Sequence, residues 1–461
     1  MSNSTQPNPL FSSDAIAALA TAVGGAVAIV RVSGEGAARV ASSCWTGRRP
    51  LADLPAREMH LGQVHDGADT VDASVLAVRF APPASFTGEE MVELHCHGGA
   101  LVARLVLQAV FRAGARPAEP GEFTKRAFLN GQMDLTRAEA VNDLIRAQSQ
   151  AAVRVANTQL RGGLASRIES AWHTCRDVLG ELEAALDFPE EDDTPVAEPA
   201  ELRGQLETVA DDLAILIASR LEGEVVRDGV SLVIAGPPNA GKSTLLNAIL
   251  GRDRAIVSDI PGTTRDTLEE LAHIRNIPVR ITDTAGLRDA ANAIEEQGVR
   301  RSHSAIATAH LVLWVTEWDR DHRTASVPRG LTDRAQVIHV VNKIDRRPDG
   351  AADRTKDGAV CISALDGSGI DLVFDAIEEA VWSVPHHTVP DVALSERHAH
   401  ATEAAAGDLR LALDALDPPL DEAVAASALR GAVGHLGCIL GREVTTEDIL
   451  GDIFSRFCMG K

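Results

Sequence analysis

Gly236-Pro237-Pro238-Asn239-Ala240-Gly241-Lys242-Ser243 is a Gly-x4-Gly-Lys-Ser phosphate-binding loop. Val230 to Ala235 before it is a short apolar run that predicts a buried strand. Thr244 to Leu250 after it predicts a helix, so the loop sits in the strand-loop-helix setting that the motif needs. Glycines let the backbone close around a phosphate, and the loop amides and helix N-terminus then face negative charge. Lys242 is expected to reach the β- and γ-phosphates, and the Ser243 hydroxyl to ligate Mg2+. Asn239, Ala240, Gly241 and Thr244 complete the cradle.

Downstream motifs test whether the site is complete. Asp283-Thr284-Ala285-Gly286 follows the strand-like Val279 to Thr282. An Asp there suits indirect Mg2+ binding, and the Gly286 amide suits a γ-phosphate. Between the two lies Gly262-Thr263-Thr264-Arg265-Asp266, where Thr264 is the candidate to close over Mg2+. Asn342-Lys343-Ile344-Asp345 follows an apolar strand, and a carboxylate such as Asp345 accepts from both N1-H and the 2-amino group of guanine. Adenine lacks that donor pair. Ser363-Ala364 offers a backbone amide to the guanine O6. Five motifs in this order predict a GTPase domain. Leu287 stands where Ras-like proteins carry a water-orienting Gln, and an alkyl chain cannot do that work. Arg265, Arg288, Glu295 and Glu296 are candidates for charge neutralisation or water positioning, each with a plain reading as a solvated surface residue.

Composition narrows the partners. The chain has 461 residues, enough for about three domains. Aromatics are 3% with no tyrosine, so Ala, Leu, Val and Ile must build the cores. The formal charge of -22 excludes nucleic-acid binding by bulk attraction; an RNA role needs a local basic patch or a basic partner. Six scattered cysteines form no Cys-x-x-Cys pair, which argues against a zinc knuckle or disulfide framework. No Lys or Arg precedes Arg31, and no apolar run is expected to span a bilayer, so a cytoplasmic protein without membrane contact is predicted.

Along the chain, mixed strand and helix patterns up to about residue 125 predict an α+β domain. Arg137 to Asp187 and Glu201 to Val226 read as helices, with a break at Gly162-Gly163. Val230 to Trp382 alternates strand and helix, which predicts a mostly parallel sheet covered on both faces. From about Ser395 the pattern is helical again, with Ile449, Ile453, Phe454 and Phe457 near one face of the last helix. The fold class is therefore multidomain α/β: an α+β N-terminal domain, a helical domain and a P-loop domain inserted into it. The expected division is 1–128, 129–228, 229–384 and 385–461.

Two further stretches carry a resemblance. Pro120-Gly121-Glu122-Phe123-Thr124-Lys125-Arg126-Ala127-Phe128-Leu129-Asn130-Gly131 and Phe457-Cys458-Met459-Gly460-Lys461, with the GTPase motifs, make the chain similar to the MnmE (TrmE) family of bacterial tRNA-modification GTPases from about Asp14 to Lys461. The resemblance implies a folate-binding N-terminal domain, a split helical domain and a homodimer through the N-terminal domains. It implies a partner of the MnmG type, an FAD protein, in a heterotetramer acting on the wobble uridine of certain tRNAs. The implied product carries an aminomethyl or carboxymethylaminomethyl group at C5, built from a methylene-folate carbon. The cofactors so implied are GTP, Mg2+, K+ and a tetrahydrofolate derivative, 5,10-methylene or 5-formyl. A regulatory GTPase that binds RNA or ribosomes without modifying them is the alternative.

Residue by residue, the resemblance makes Asn239, Ser258, Ile260 and Thr263 potassium-ligand positions within the loop and the segment Ser258-Asp259-Ile260-Pro261-Gly262-Thr263-Thr264. Ser258 is Thr in familiar relatives, and both carry a hydroxyl. Glu295 falls on the water-orienting glutamate. Arg31, Glu93 and Lys461 match the folate pocket, while Gln132 replaces a usual Lys and Ala22-Val23-Gly24-Gly25 lacks the usual Pro-Gly-rich form. Cys458 has two open readings: a thiolate adding to C6 of uracil so that C5 becomes nucleophilic, or a packing cysteine. His95-Cys96-His97 offers three donors for a metal, but no second cluster completes such a site.

Overall fold

The computed structural model describes residues 14–187, 198–220, 223, 225, 227, 229–252, 269–275, 277–283, 309–318, 336–347, 351–355, 357–381, 391–442, 447–455, 457 and 460. The chain divides into two compact units. One holds Met1–Ile145, Gln159–Asp211 and His400–Lys461; the other holds Arg146–Thr158 and Asp212–Ala399.

The first unit is built on a seven-stranded sheet. Its strands are β1 (Ile16–Leu19), β2 (Val27–Ser33), β3 (Trp45–Gly47), β4 (Met59–Asp66), β5 (Asp69–Phe80), β6 (Met91–His97) and β7 (Arg116–Pro117). The spatial order is β3-β4-β5-β6-β2-β1-β7. Neighbours are antiparallel except β1 and β7, which are parallel. Strand periodicity sorts the residues. Ala28, Val30 and Val32 of β2 and Val92, Leu94 and Cys96 of β6 point inward. Helices α1 (Ala37–Cys44) and α2 (Ala100–Arg112) cover that face with Ala41, Val106 and Val110. Burying six such side chains contributes roughly 1.5–3 kcal/mol for each large aliphatic one. The alternate residues Arg31, Glu93, His95 and His97 are left on the outer face.

Helices α3 (Glu122–Leu129), α4 (Leu135–Arg146), α5 (Gln150–Leu160), α6 (Gly163–Asp187) and α7 (Pro199–Ala218) follow. The Gly162-Gly163 break separates α5 from α6 as the sequence predicts. Along α7, Leu202, Leu206, Val209, Leu213 and Leu216 are buried, the stripe that helical spacing selects.

The second unit holds β8 (Val230–Ala235), α8 (Lys242–Arg252), β9 (Glu269–Ile274), β10 (Ile277–Asp283), β11 (Leu311–Glu317), β12 (Gln336–Asn342), β13 (Val360–Cys361) and α9 (Ile370–Val381). The sheet order is β13-β12-β11-β8-β10-β9. All pairings are parallel except the β9/β10 hairpin. β8 lies between β10 and β11, so the chain reverses its direction of winding there. Ligands of open α/β sheets bind at the C-terminal ends of strands at that point. Val230, Leu232 and Ile234 pack with Leu245 and Ile249 of α8 and with Ile370, Val373 and Ile377 of α9.

The last helices are α10 (Glu396–Ala415), α11 (Glu422–Leu440) and α12 (Glu447–Ser455). α11 corrects the expectation about apolar runs. It has 19 residues and a mean hydropathy of 1.5, long and apolar enough by length and composition to cross a membrane, with half of the window buried. Alanines and glycines kept it from standing out in the sequence. It lies along α6, burying Ala425, Ala426, Leu429, Ala432, Val433 and Leu436. Asp421 caps it, its side chain accepting from the Val424 N–H at 3.1 Å, and Gly441 ends it at a φ of 76°. In α12, Phe454 is buried and Ile453 partly so, as expected; Leu450 is buried as well.

Candidate functional site

β8 delivers residues 236–241 to the start of α8. Gly236 has a φ of 148°, and a Cβ there would stand 2.0 Å from the Val315 carbonyl oxygen. Only glycine lets the loop leave β8 so close to β11. Asn239 holds a left-handed φ of 63° and Gly241 a φ of 90°. Successive amides in such a turn form a concavity suited to an anion. Lys242 is buried, and its Nζ donates to the Pro237 carbonyl at 2.9 Å across the loop. That contact folds the ammonium over the concavity. Ser243 and Thr244 are exposed at the first turn of α8. Its donor set, a ring of amides with one ammonium and a hydroxyl, fits a polyphosphate with a hard cation.

The end of β12 closes the site from the side. Asn342 is buried and makes three links: Nδ2 donates to the Ala240 carbonyl at 2.9 Å, and Oδ1 accepts from Lys343 N at 2.8 Å and Ala364 N at 2.9 Å. One side chain thus ties residues 240, 343 and 364 together. A base oxygen seeking the Ala364 amide must share it with Asn342. Asp345 is exposed, and its Oδ1 accepts from Ser363 Oγ at 3.1 Å, which orients the carboxylate toward open space. Lys343 sits at a φ of 68° with Nζ 2.9 Å from Glu317. Leu365, 81% exposed and directly after Ala364, is an alkyl surface suited to the face of a planar base. Sequence reasoning passed over it, although a large apolar side chain beside Ser363-Ala364 was the available signal.

Asp283 ends β10 in register with Ile234 of β8, one residue before Ala235 and the loop. Ser258, Asp259, Ile260, Pro261, Gly262, Thr263, Thr264, Thr284, Ala285, Gly286, Leu287, Arg288, Glu295 and Glu296 lie outside the described residues, as do Arg265, Cys458 and Lys461.

A second constellation lies on the outer face of the first sheet. Arg31 and Glu93 are direct cross-strand partners of β2 and β6, and Arg31 Nη2 is 2.8 Å from Glu93 Oε1. The guanidinium also stands over the rings of Phe86 and Phe123, 5.3 Å and 5.7 Å from their centroids. The other carboxylate oxygen faces His95 Nε2 at 3.5 Å. Burial pushes the Glu93 carboxyl up, but His95 and Arg31 outweigh it and hold it below the usual value. Arg31 and Glu93, both expected in the folate pocket, hold one another. Phe86, Phe123 and His95 were not singled out for this site.

Beneath it runs a buried ionic network. Arg126, 1% exposed, bonds the Asp14 carbonyl, Glu89 at 3.2 Å and Glu122 at 2.9 Å. Arg116 clasps Glu122 at 2.6 Å and Asp14 at 2.7 Å. Glu89 also accepts from Ser33 Oγ, and Ser33 lies 2.6 Å from Thr87 Oγ1. The loop that carries Phe86 is thereby fixed to β2 and α3. Gln132 sits beside Gly88, where its Nε2 would be 3.0 Å from an added Cβ. Gly460 lies so close to β1 that a Cβ would be 2.0 Å from the Leu19 carbonyl oxygen. That places the residue between Met459 and Lys461 next to the strand that pairs with Arg31.

His95, Cys96 and His97 do not converge. Cys96 points into the core and its thiol donates to the Ala28 carbonyl at 3.5 Å, while both histidines point out. Burial pushes the Cys96 thiol up to about 11, Cys44 to about 11 and Cys175 to about 12. These three are not thiolates at neutral pH. Among the described residues no group of three or more His, Cys, Asp or Glu is arranged to hold a metal.

Comparison with known proteins adds to this geometry. Residues 15–132 match the family model described as GTP-binding protein TrmE N-terminus, and residues 135–458 match that of the MnmE helical domain. The chain is 40% identical over 478 residues to the tRNA modification GTPase MnmE of Chlorobium phaeobacteroides, covering 100% of each. It is 41% identical to that of Akkermansia muciniphila, over 97% of this chain and 98% of the relative. The G domain of the T. maritima FeoB iron transporter aligns with 33% of this chain and 99% of its own at 21% identity, with a TM-score of 0.26.

Proposed function

This chain belongs to the MnmE family of tRNA modification GTPases, and from that premise we propose that its GTP hydrolysis is activated by potassium and drives wobble-uridine modification with a flavoprotein partner of the MnmG type. The observation that carries the nucleotide part is Asn342, which binds residues 240, 343 and 364 into one frame and leaves Asp345 facing outward. In that frame the Asp345 carboxylate accepts from N1-H and the 2-amino group of guanine. Lys242 moves from Pro237 to the β- and γ-phosphates, and Ser243 ligates Mg2+ with Thr264. Asn239, Ser258, Ile260 and Thr263 would hold the potassium ion, which would supply the charge that an arginine finger supplies elsewhere. Glu295 orients the attacking water.

The carbon chemistry belongs to the first unit. A tetrahydrofolate carrying a one-carbon unit binds on Arg31, Glu93 and Lys461, with Glu93 facing the pterin edge and Arg31 holding that carboxylate. Cys458 is the candidate nucleophile toward uracil C6. A second copy of the chain packs on the β4–β5 part of the outer sheet face, away from His97, where Leu61 and Leu76 are cross-strand partners, 62% and 39% exposed, next to Met59. We retain the division 1–128, 129–228, 229–384 and 385–461, and a cytoplasmic place alongside the tRNA substrate.

Two measurements test this reading. Nucleoside analysis of wobble uridines in a strain lacking the gene should show loss of the C5 group; unchanged modification would overturn it. GTP turnover should be at least about tenfold faster in potassium than in sodium, a difference of about 1.4 kcal/mol in barrier. Asn239→Ala should remove that difference, and equal rates of the unaltered chain in both salts would refute the potassium site.

A further inference from the structure

On the outer face of β6, Glu93, His95 and His97 occupy successive outward positions, and Glu93 and His97 are about 13 Å apart along the strand. The far end of this row is a carboxylate–imidazole pair. Asp72 of β5 has a side chain only 4% exposed, yet it is fully engaged. It accepts from the backbone N–H of His97 at 2.9 Å and of Ser74 at 3.1 Å. His97 Nδ1 lies 3.0 Å from both of its oxygens. Burial pushes the Asp72 carboxyl up, but the His97 and Ser74 N–H groups and the His97 ring outweigh it, so it stays ionised at neutral pH.

An ionised carboxylate beside Nδ1 fixes the tautomer: Nδ1 carries the proton and Nε2 carries the lone pair. The imidazole is 66% exposed, so Nε2 is on the side that a second molecule can reach. A buried carboxylate behind an accessible imidazole is the arrangement of a general base, because the carboxylate orients the ring and stabilises the imidazolium that forms.

We propose that Asp72 and His97 form a proton-transfer dyad in which His97 Nε2 removes the C5 proton of the uracil being modified. This rests on the function proposed above. When C5 bonds to the one-carbon unit, the carbon–nitrogen bond to its carrier breaks and the electron pair goes to that nitrogen, which takes a proton. C5 is then saturated and still bears its hydrogen. His97 Nε2 takes that proton, the C5–H electron pair restores the C5–C6 double bond, and any nucleophile on C6 leaves with its own pair. The imidazolium, held by Asp72, returns the proton to water. Asp72 acts through His97 and is the positioning residue.

The test uses the full chain with its flavoprotein partner and tRNA tritiated at C5 of the wobble uridine. His97→Ala and His97→Gln should each lower tritium release at least about 100-fold, the usual scale for a lost general base. GTP turnover and folate affinity should stay within about twofold. Added imidazole should restore part of the release to His97→Ala, which a purely structural role would not allow. Asp72→Asn should behave as His97→Gln if it folds, and circular dichroism decides that. Release at the original rate in His97→Ala, or a loss matched by lost folate affinity and not rescued by imidazole, would overturn the dyad. If the unaltered complex released no tritium, the function proposed above would fall, and the dyad's role with it.

Discussion

At the scale of single residues, the nucleotide site is a matter of donors and acceptors. Asp345 is oriented by Ser363 and open to solvent. Asp345→Asn exchanges one carboxylate oxygen for an NH2 donor, which opposes the guanine 2-amino group and matches the carbonyl at C2 of xanthine. Affinity for GTP should fall roughly 100-fold or more, with a gain for xanthosine triphosphate, because a site built for a donor pair leaves buried polar groups unpaired when it meets the wrong base. A titration with both nucleotides reads the exchange; unchanged preference would remove Asp345 from the base site. Asp345 was legible in the sequence because Asn342-Lys343-Ile344-Asp345 is local. The use of the Ala364 amide by Asn342 was not, since it joins residues 22 positions apart.

At the scale of elements, α11 decides how the helical layer is held. Its long apolar run is placed against α6, with Leu429 fully buried. Leu429→Ala should cost about 2–5 kcal/mol, the range for removing a large aliphatic side chain from a close-packed core. Leu411→Ala on α10, where the side chain is 58% exposed, should change stability by no more than about 0.5 kcal/mol. Urea unfolding of the two variants compares them directly. Equal small effects would mean that α11 does not carry the core of this layer. Helical spacing alone located α7, the break before α6 and the helical character of the chain from about Ser395, but not the long apolar run of α11, because its small residues make that run inconspicuous.

At the scale of the whole molecule, charge sets two expectations. The Glu122 carboxyl is pushed up by burial but held below its ordinary value of 4.5 by Arg116, the Glu119 N–H and Arg126. Glu93 and Asp72 are likewise lowered. The folded state therefore binds fewer protons than the unfolded chain in this range. Their contribution to stability is fully present above the ordinary carboxylate values and is lost as pH falls through the lower folded values. Melting temperature should fall steeply as pH drops below about 4.5. Glu122→Gln should flatten that fall; an unaltered slope would mean that the Arg116–Arg126 network does not couple to folding. The second expectation follows from a formal charge of -22. The chain alone should bind tRNA weakly at physiological salt, because its own field repels phosphate, and the flavoprotein partner proposed above should supply the gain. Tight binding by the chain alone in a filter or gel assay would refute this.

The sequence by itself determined the parts whose physics is local: a phosphate loop between a strand and a helix, the Asn342-to-Asp345 motif at a strand end, the helical stripes and the alternation that leaves Arg31 on the outer face of β2 and Glu93, His95 and His97 on that of β6. The tertiary structure alone decided what those residues touch. Strand pairing set Arg31 against Glu93, and the fold brought Arg126 to Asp14 and Glu89, Gly460 to Leu19 and Asp72 to His97. These contacts join segments from 25 to more than 400 residues apart. Their partners are chosen by sheet register and packing, which no short window of sequence contains.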